Sequence, residues 1–217
     1  MALFAPFHTY AKGNIAIAKK SIASPLAFWQ YKATLTIEKP INKERSPLIY
    51  HFSENPDIER FIPRPAKVLP GMPPVVWAID AEHAVNYYLP RDCPRVIYAR
   101  TDTAAPEDIA RFFDGSAADV IITVESRWMD RIRETQLYRY TFSNELFVLS
   151  DANAGYYVSS EEIVPLRVEP MGDLISAILG TGAELRFTPS LVPLRQAVIA
   201  STLSFSVIRF AYAWQMT

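Results

Sequence analysis

Leu48-Ile49-Tyr50-His51-Phe52-Ser53 decides how this chain is read. The run is short, apolar and aromatic, the composition of a pleated surface that packs on a core. It reads as the first core strand of a folded domain. Alternate side chains of a strand share a face, so His51 and Ser53 point one way and Tyr50 and Phe52 the other. If the aromatic pair faces the core, a histidine and a hydroxyl stand together on the opposite face.

Upstream, residues 1–46 have a different character. They show neither helical nor alternating periodicity and contain the turn-prone pairs Lys12-Gly13 and Ser24-Pro25. A charged run over 39–45 closes them, and 34–37 is a short strand candidate. The expected organisation is a disordered or loosely packed extension over 1–46, followed by a single domain over 47–217.

Downstream, Asn55-Pro56-Asp57 is a turn, and Pro63, Pro65, Pro70, Pro73 and Pro74 exclude a long helix. The pattern predicts strands over 75–79, 95–99 and 120–124. Asp80 reads as the N-cap of a short helix with Glu82 and His83 in its first turn. Pro106 opens a helix that Gly115 ends, and 126–134 reads as a polar helix. Segments 136–142 and 146–149 read as a hairpin about Ser143-Asn144, with further strands over 156–158 and 163–168. Asp173 caps a helix to Leu179, 185–187 pairs as a last strand, and Pro193 starts a final helix to about 204. Short strands with helices between them, and no regular βαβ repeat, predict an α+β fold.

The composition narrows the function classes. With 217 residues, 50% of them hydrophobic, the chain can bury a core, and its net charge of −1 does not indicate a nucleic-acid binder. One cysteine, Cys93, forms no internal disulfide, and no apolar run is long enough to span a bilayer. Cytoplasmic is therefore the expected compartment. Three histidines without C-x-x-C or H-E-x-x-H give no structural zinc pattern, and there is no Gly-rich phosphate loop. Cys93, between Asp92 and Pro94, reads as a packed residue rather than a nucleophile.

Three segments remain as candidates for chemistry. Y-H-F-S carries His51, whose bland role is to cap a neighbouring carbonyl. W-A-I-D-A-E-H-A-V-N-Y-Y carries Tyr87 and Tyr88, of which one must point away from the centre of a buried stripe. S-S-E-E-I-V-P carries Glu161 and Glu162, whose bland reading is a solvated turn. Arg127, Arg131, Arg133 and Arg139 read as a solvated face paired with Asp130 and Glu134, with an interaction surface as the alternative.

In this order the three segments resemble the ADP-ribosyltransferase superfamily, whose members clamp NAD with a split β-sheet. The stretch from 48 to about 209 also resembles an uncharacterised bacterial family, through Y-H-F-S-E, P-R-D-C-P-R, E-S-R-W and L-Y-R-Y. The superfamily resemblance implies a split, mostly antiparallel sheet with flanking helices and a transferase using NAD as substrate, with a nucleotide-type ligand and no metal. It implies Glu161, or Glu162 by a one-residue change of register, as the carboxylate beside the ribose. His51 and Ser53 would hold ribose hydroxyls, Tyr87 or Tyr88 would stack on nicotinamide, and Arg64 and Arg91 would take the pyrophosphate. The alternative is a non-catalytic ligand- or partner-binding module on the same fold.

Overall fold

The computed structural model describes residues 48–65 and 73–214. The expected extension over 1–46, its strand candidate at 34–37 and part of the proline-rich connection lie outside them. Among the described residues ten strands form two sheets: β1 (Leu48–Ser53), β2 (Val76–Ile79), β3 (Arg95–Ala99), β4 (Val120–Glu125), β5 (Tyr138–Ser143), β6 (Val148–Asp151), β7 (Tyr156–Ser159), β8 (Arg167–Pro170), β9 (Glu184–Thr188) and β10 (Ser204–Ile208). The helices are short: α1 (Pro106–Phe112), α2 (Met129–Glu134), α3 (Leu174–Leu179) and α4 (Val192–Ile199). The first sheet has the order β6-β7-β2-β1-β5-β8 and the second β10-β3-β4-β9. All pairings are antiparallel except β4 with β9. The fold is thus α+β, with two mostly antiparallel sheets.

Three apolar layers hold it together. On one face of the first sheet, Ile49, Val76, Ala78, Tyr140 and Phe142 pack with Phe61 and Ile163. A middle layer joins Ile97, Ile122 and Val124 of the second sheet to α2 and α3, and Phe52 of β1 packs against it. The far face of the second sheet carries Val96, Tyr98 and Ile121 against Phe112, Leu191 and Val198 of the α1 and α4 regions. Strands β3 and β4 are covered on both faces, which is why they read as near-continuous apolar runs rather than alternating ones. Among the described residues no helix is long and apolar enough to cross a membrane.

Several expectations need correction. Strand β5 does not form a hairpin with β6, because it pairs along β1 on one side and β8 on the other. The hairpin is β6–β7, closed by a turn whose Gly155 has φ +67°. The helix expected after Asp80 is a turn followed by a 3-10 helix at Ala84–Tyr87, although Asp80 Oδ1 accepts the His83 backbone N–H at 2.8 Å as an N-cap would. In the segment expected as a strand over 163–168, only Ile163 makes a bridge, with Phe61, and the ladder resumes at Arg167. Pro165 lies between and has no N–H to donate. Strand β10 was not expected, although Ser204-Phe205-Ser206-Val207 alternates as a half-buried strand does. The arginines do not share a helix face paired with Asp130 and Glu134: Arg127, ahead of α2, pairs with Glu125, Arg131 with Glu54, and Arg139, on β5, with Glu169.

Candidate functional site

Register fixes which face each candidate occupies. Residues directly opposite in an antiparallel pair share a face. Ile49, His51 and Ser53 stand opposite Phe142, Tyr140 and Tyr138, whereas Tyr50 and Phe52 stand opposite Thr141 and Arg139. Apolar neighbours pack on both faces of β1, and His51 and Ser53 stay part-exposed on theirs.

His51 is held from two sides. Its Nδ1 donates to the Trp77 carbonyl at 3.0 Å. Nδ1 therefore carries the proton, and Nε2 is the bare nitrogen of the neutral ring. The ring also meets Phe61 edge-on with centroids 4.9 Å apart. Burial is the main reason that the His51 pKa is depressed; the bond to Trp77 opposes the shift, and the positive charges of Arg91 and Arg64 add to it. His51 is neutral in this setting.

Phe61 links this histidine to the glutamates. Its N–H donates to the Ile163 carbonyl at 2.8 Å and its carbonyl accepts from Ile163 N at 3.0 Å. The segment carrying Glu161 and Glu162 is thereby tied to a residue in ring contact with His51. The two carboxylates differ. Glu162 accepts from Arg60 Nη1 at 2.6 Å, whereas Glu161 is exposed and forms no ion pair among the described residues; its backbone N–H donates to Ser159 Oγ at 3.1 Å. Ser53 Oγ accepts the Asn55 N–H at 3.1 Å, closing a local turn. The guanidinium groups of Arg64 and Arg91, both exposed, have no carboxylate partner among the described residues, while the Arg91 backbone N–H donates to Glu54 Oε1 at 3.0 Å.

The structure does not bring Tyr87 and Tyr88 to this group. Tyr87 is bonded to the Tyr156 hydroxyl at 2.5 Å and lies 5.5 Å from the Arg95 guanidinium. Tyr156 stands opposite Ile79, and Ile79 opposite Tyr50, on the face away from His51. The Tyr88 ring meets Phe52 on that same side, at 5.2 Å, and lines a cavity of about 370 Å³. The reason is the strand period of two, which sends Phe52 and His51 to opposite faces. Tyr138 and Tyr140 of β5 stand on the His51 face, and the tyrosine that β7 adds to it is Tyr157, opposite Ala78. One step along the Tyr50–Ile79 pairing, Ala78 lies beside His51, and its small side chain separates the two rings. The alternation in Tyr156-Tyr157-Val158-Ser159 was the available signal, but it names a face only once the strand order is known.

Cys93 is fully buried, and burial pushes its thiol up to about 12 from an ordinary 9.0. The folded state thus holds this proton longer than the unfolded chain. Its contribution to stability is complete below pH 9 and declines as the pH rises toward 12. At pH 8, iodoacetamide should alkylate the native thiol about a thousandfold more slowly than the urea-unfolded chain, following the loss of thiolate. Mass spectrometry of timed samples reads both rates; similar rates would show the site to be open. Among the described residues no three His, Cys, Asp or Glu side chains gather as metal ligands.

The sequence model of a family described as "Family of unknown function (DUF6886)" matches residues 50–213. No curated protein and no solved structure matches the chain.

Proposed function

The chain belongs to this family of unknown function, DUF6886, and we propose that within it the chain acts as an ADP-ribosyltransferase-like protein that takes NAD on the His51 face of the first sheet. The observation that carries the reading is the grouping of neutral His51 with the fields of Arg64 and Arg91, beside the Glu161 segment that Phe61 ties in. Two guanidinium groups without carboxylate partners among the described residues suit a pyrophosphate, which they grip bidentately. The bare Nε2 of His51 suits a ribose hydroxyl, which donates to it.

The chemistry assigns Glu161 its role. As the bond between ribose C1 and the nicotinamide nitrogen breaks, its electron pair leaves with nicotinamide and positive charge develops on the sugar, as in glycoside cleavage. The Glu161 carboxylate stabilises that charge until the acceptor's nucleophile bonds to C1 and gives up its proton. Glu162, already paired with Arg60, is not the carboxylate of choice. Tyr157 replaces Tyr87 and Tyr88 as the ring for the nicotinamide cation, a contact of roughly 0.5–2 kcal/mol.

A second reading, a binding module without transfer, is favoured by the inward placement of Tyr87 and Tyr88 and by the local turn that occupies Ser53. Titration calorimetry with NAD, run beside chromatographic detection of released nicotinamide, decides between them. The transferase reading expects wild type to bind and release. Arg64→Ala/Arg91→Ala should bind at least about tenfold more weakly, the loss of a charge-assisted contact. Glu161→Gln should bind normally and release nicotinamide on the order of a hundredfold more slowly. Binding without release selects the module, and no binding by wild type ends the nucleotide reading.

A further inference from the structure

Asp80 and His83 follow β2 and form a second group of titratable side chains. Asp80 Oδ1 accepts from His83 Nδ1 at 2.8 Å as well as from the His83 backbone. Because a carboxylate only accepts, a proton sits on Nδ1, and Nε2 is the ring nitrogen left for another partner. That nitrogen has no partner among the described residues, and the side chain is 23% exposed.

The β6–β7 turn is built tightly around this pair. The Asp80 N–H donates to the Gly155 carbonyl at 3.0 Å. A Cβ on Gly155 would overlap His83 Nδ1 and come within 2.5 and 2.6 Å of the Asp80 carboxylate oxygens. With φ at +67° as well, the position is one that only glycine fills without strain. The imidazole is thus confined by its carboxylate and by backbone.

His83 lines a cavity of about 200 Å³ between this turn and the second sheet, with Ser204, Ser206 and Asn153 also on its wall and Ile97 and Val85 as its apolar part. On β10, Phe205 and Val207 pack into the α4 layer, so the alternation turns Ser204 and Ser206 toward the cavity. Neither hydroxyl has a partner among the described residues, although Ser206 is a buried residue. The charged side chains at the rim, Glu82 and Arg100, oppose each other in sign, and Arg100 already donates to the Ala118 and Ser116 carbonyls.

From these features we infer that the cavity is a binding site, separate from the His51 face, for a small neutral polyhydroxylated ligand of monosaccharide size. A ligand hydroxyl donates to His83 Nε2, and Ser204, Ser206 and Asn153 meet its other hydroxyls. The balanced rim disfavours an anion. The volume lies below the roughly 300–1,000 Å³ typical of sites for drug-sized molecules, which limits the ligand to about one sugar ring. The apolar wall of Ile97 and Val85 suits its C–H face.

NMR titration of the ¹⁵N-labelled chain with D-glucose and with D-ribose tests the site. At least one sugar should give saturable shifts at the His83 ring and at the Ser204 and Ser206 amides. The wild-type ring nitrogens should report the Nδ1–H tautomer. Asp80→Asn should mix the tautomers and weaken binding, and His83→Ala should weaken it on the order of tenfold, as for one lost hydrogen bond, while amide spectra confirm that both variants stay folded. Absence of saturable shifts with both sugars, or equal binding by folded His83→Ala, would overturn the inference. Neither result bears on NAD binding, which is read at His51.

Discussion

Arg95→Met should lower folding stability by on the order of 3–5 kcal/mol. Arg95 is only 2% exposed and has no carboxylate partner among the described residues. Its Nε donates to the Asn86 carbonyl at 2.9 Å, and its Nη1 to Cys93 O at 2.9 Å and, more weakly, to Pro90 O at 3.4 Å. One planar guanidinium thus bonds three carbonyls of the β2–β3 connection while its charge lies beside the Tyr87 ring. Methionine fills similar volume but donates nothing, and a buried carbonyl left without a partner costs about 1–3 kcal/mol. Burial lowers the Arg95 pKa from its ordinary value, yet a guanidinium stays protonated in a protein. Arg95→Lys should recover only part of the loss, because an ammonium cannot reproduce the planar fork. Urea unfolding reads the effect as a lower midpoint at unchanged slope. A midpoint within error of wild type for Arg95→Met would show that water satisfies these carbonyls.

Glu125→Ala should cost on the order of 3 kcal/mol and act first at the C-terminal end of the described chain. The Glu125 side chain is fully buried at the end of β4 and accepts the Trp214 N–H at 2.9 and 3.1 Å and the Leu191 N–H at 3.5 Å. Arg127 Nε, on a half-exposed side chain, supplies the compensating charge at 2.8 Å. The carboxylate therefore joins the end of a central strand to the start of α4 and to the residues after β10. Alanine leaves two amides and a cation without their acceptor. Glu125→Gln keeps one acceptor oxygen and should lose about half as much. Hydrogen exchange should show the Trp214 amide losing protection in Glu125→Ala before the amides of β3 and β4 do. Uniform loss of protection would place the effect in the global equilibrium alone.

The legible parts of the fold were those governed by local chemistry. The apolar runs of β3 and β4, Pro106 at the start of α1 and the Asp173 cap, which accepts from Ser176 N at 2.7 Å, each carry their signal within a few residues. What was misread depended on partners distant in sequence. Segments 136–142 and 146–149 look like a hairpin because neighbouring strands usually pair, but the ladder from β5 to β1 spans almost ninety residues and displaces β6 to the other edge of the sheet. The site followed the same division. His51 and Ser53 were assigned to one face by the period of a strand, and that assignment matches the register. Tyr87 and Tyr88 were placed by their order in the chain, which says nothing about which face of β1 the next connection covers.

Leu48–Ser53 shows where the boundary lies. Its composition alone determined that it is a strand and that His51 and Phe52 face opposite ways, because side-chain propensity and the pleat are properties of a few adjacent residues. Only the tertiary structure decided that neighbours pack on both faces, that Phe61 ties the Glu161 segment to His51, and that β7 adds Tyr157 to that face. Those outcomes depend on strand order and register, set by burial summed over the whole chain, and no short window of sequence contains that sum.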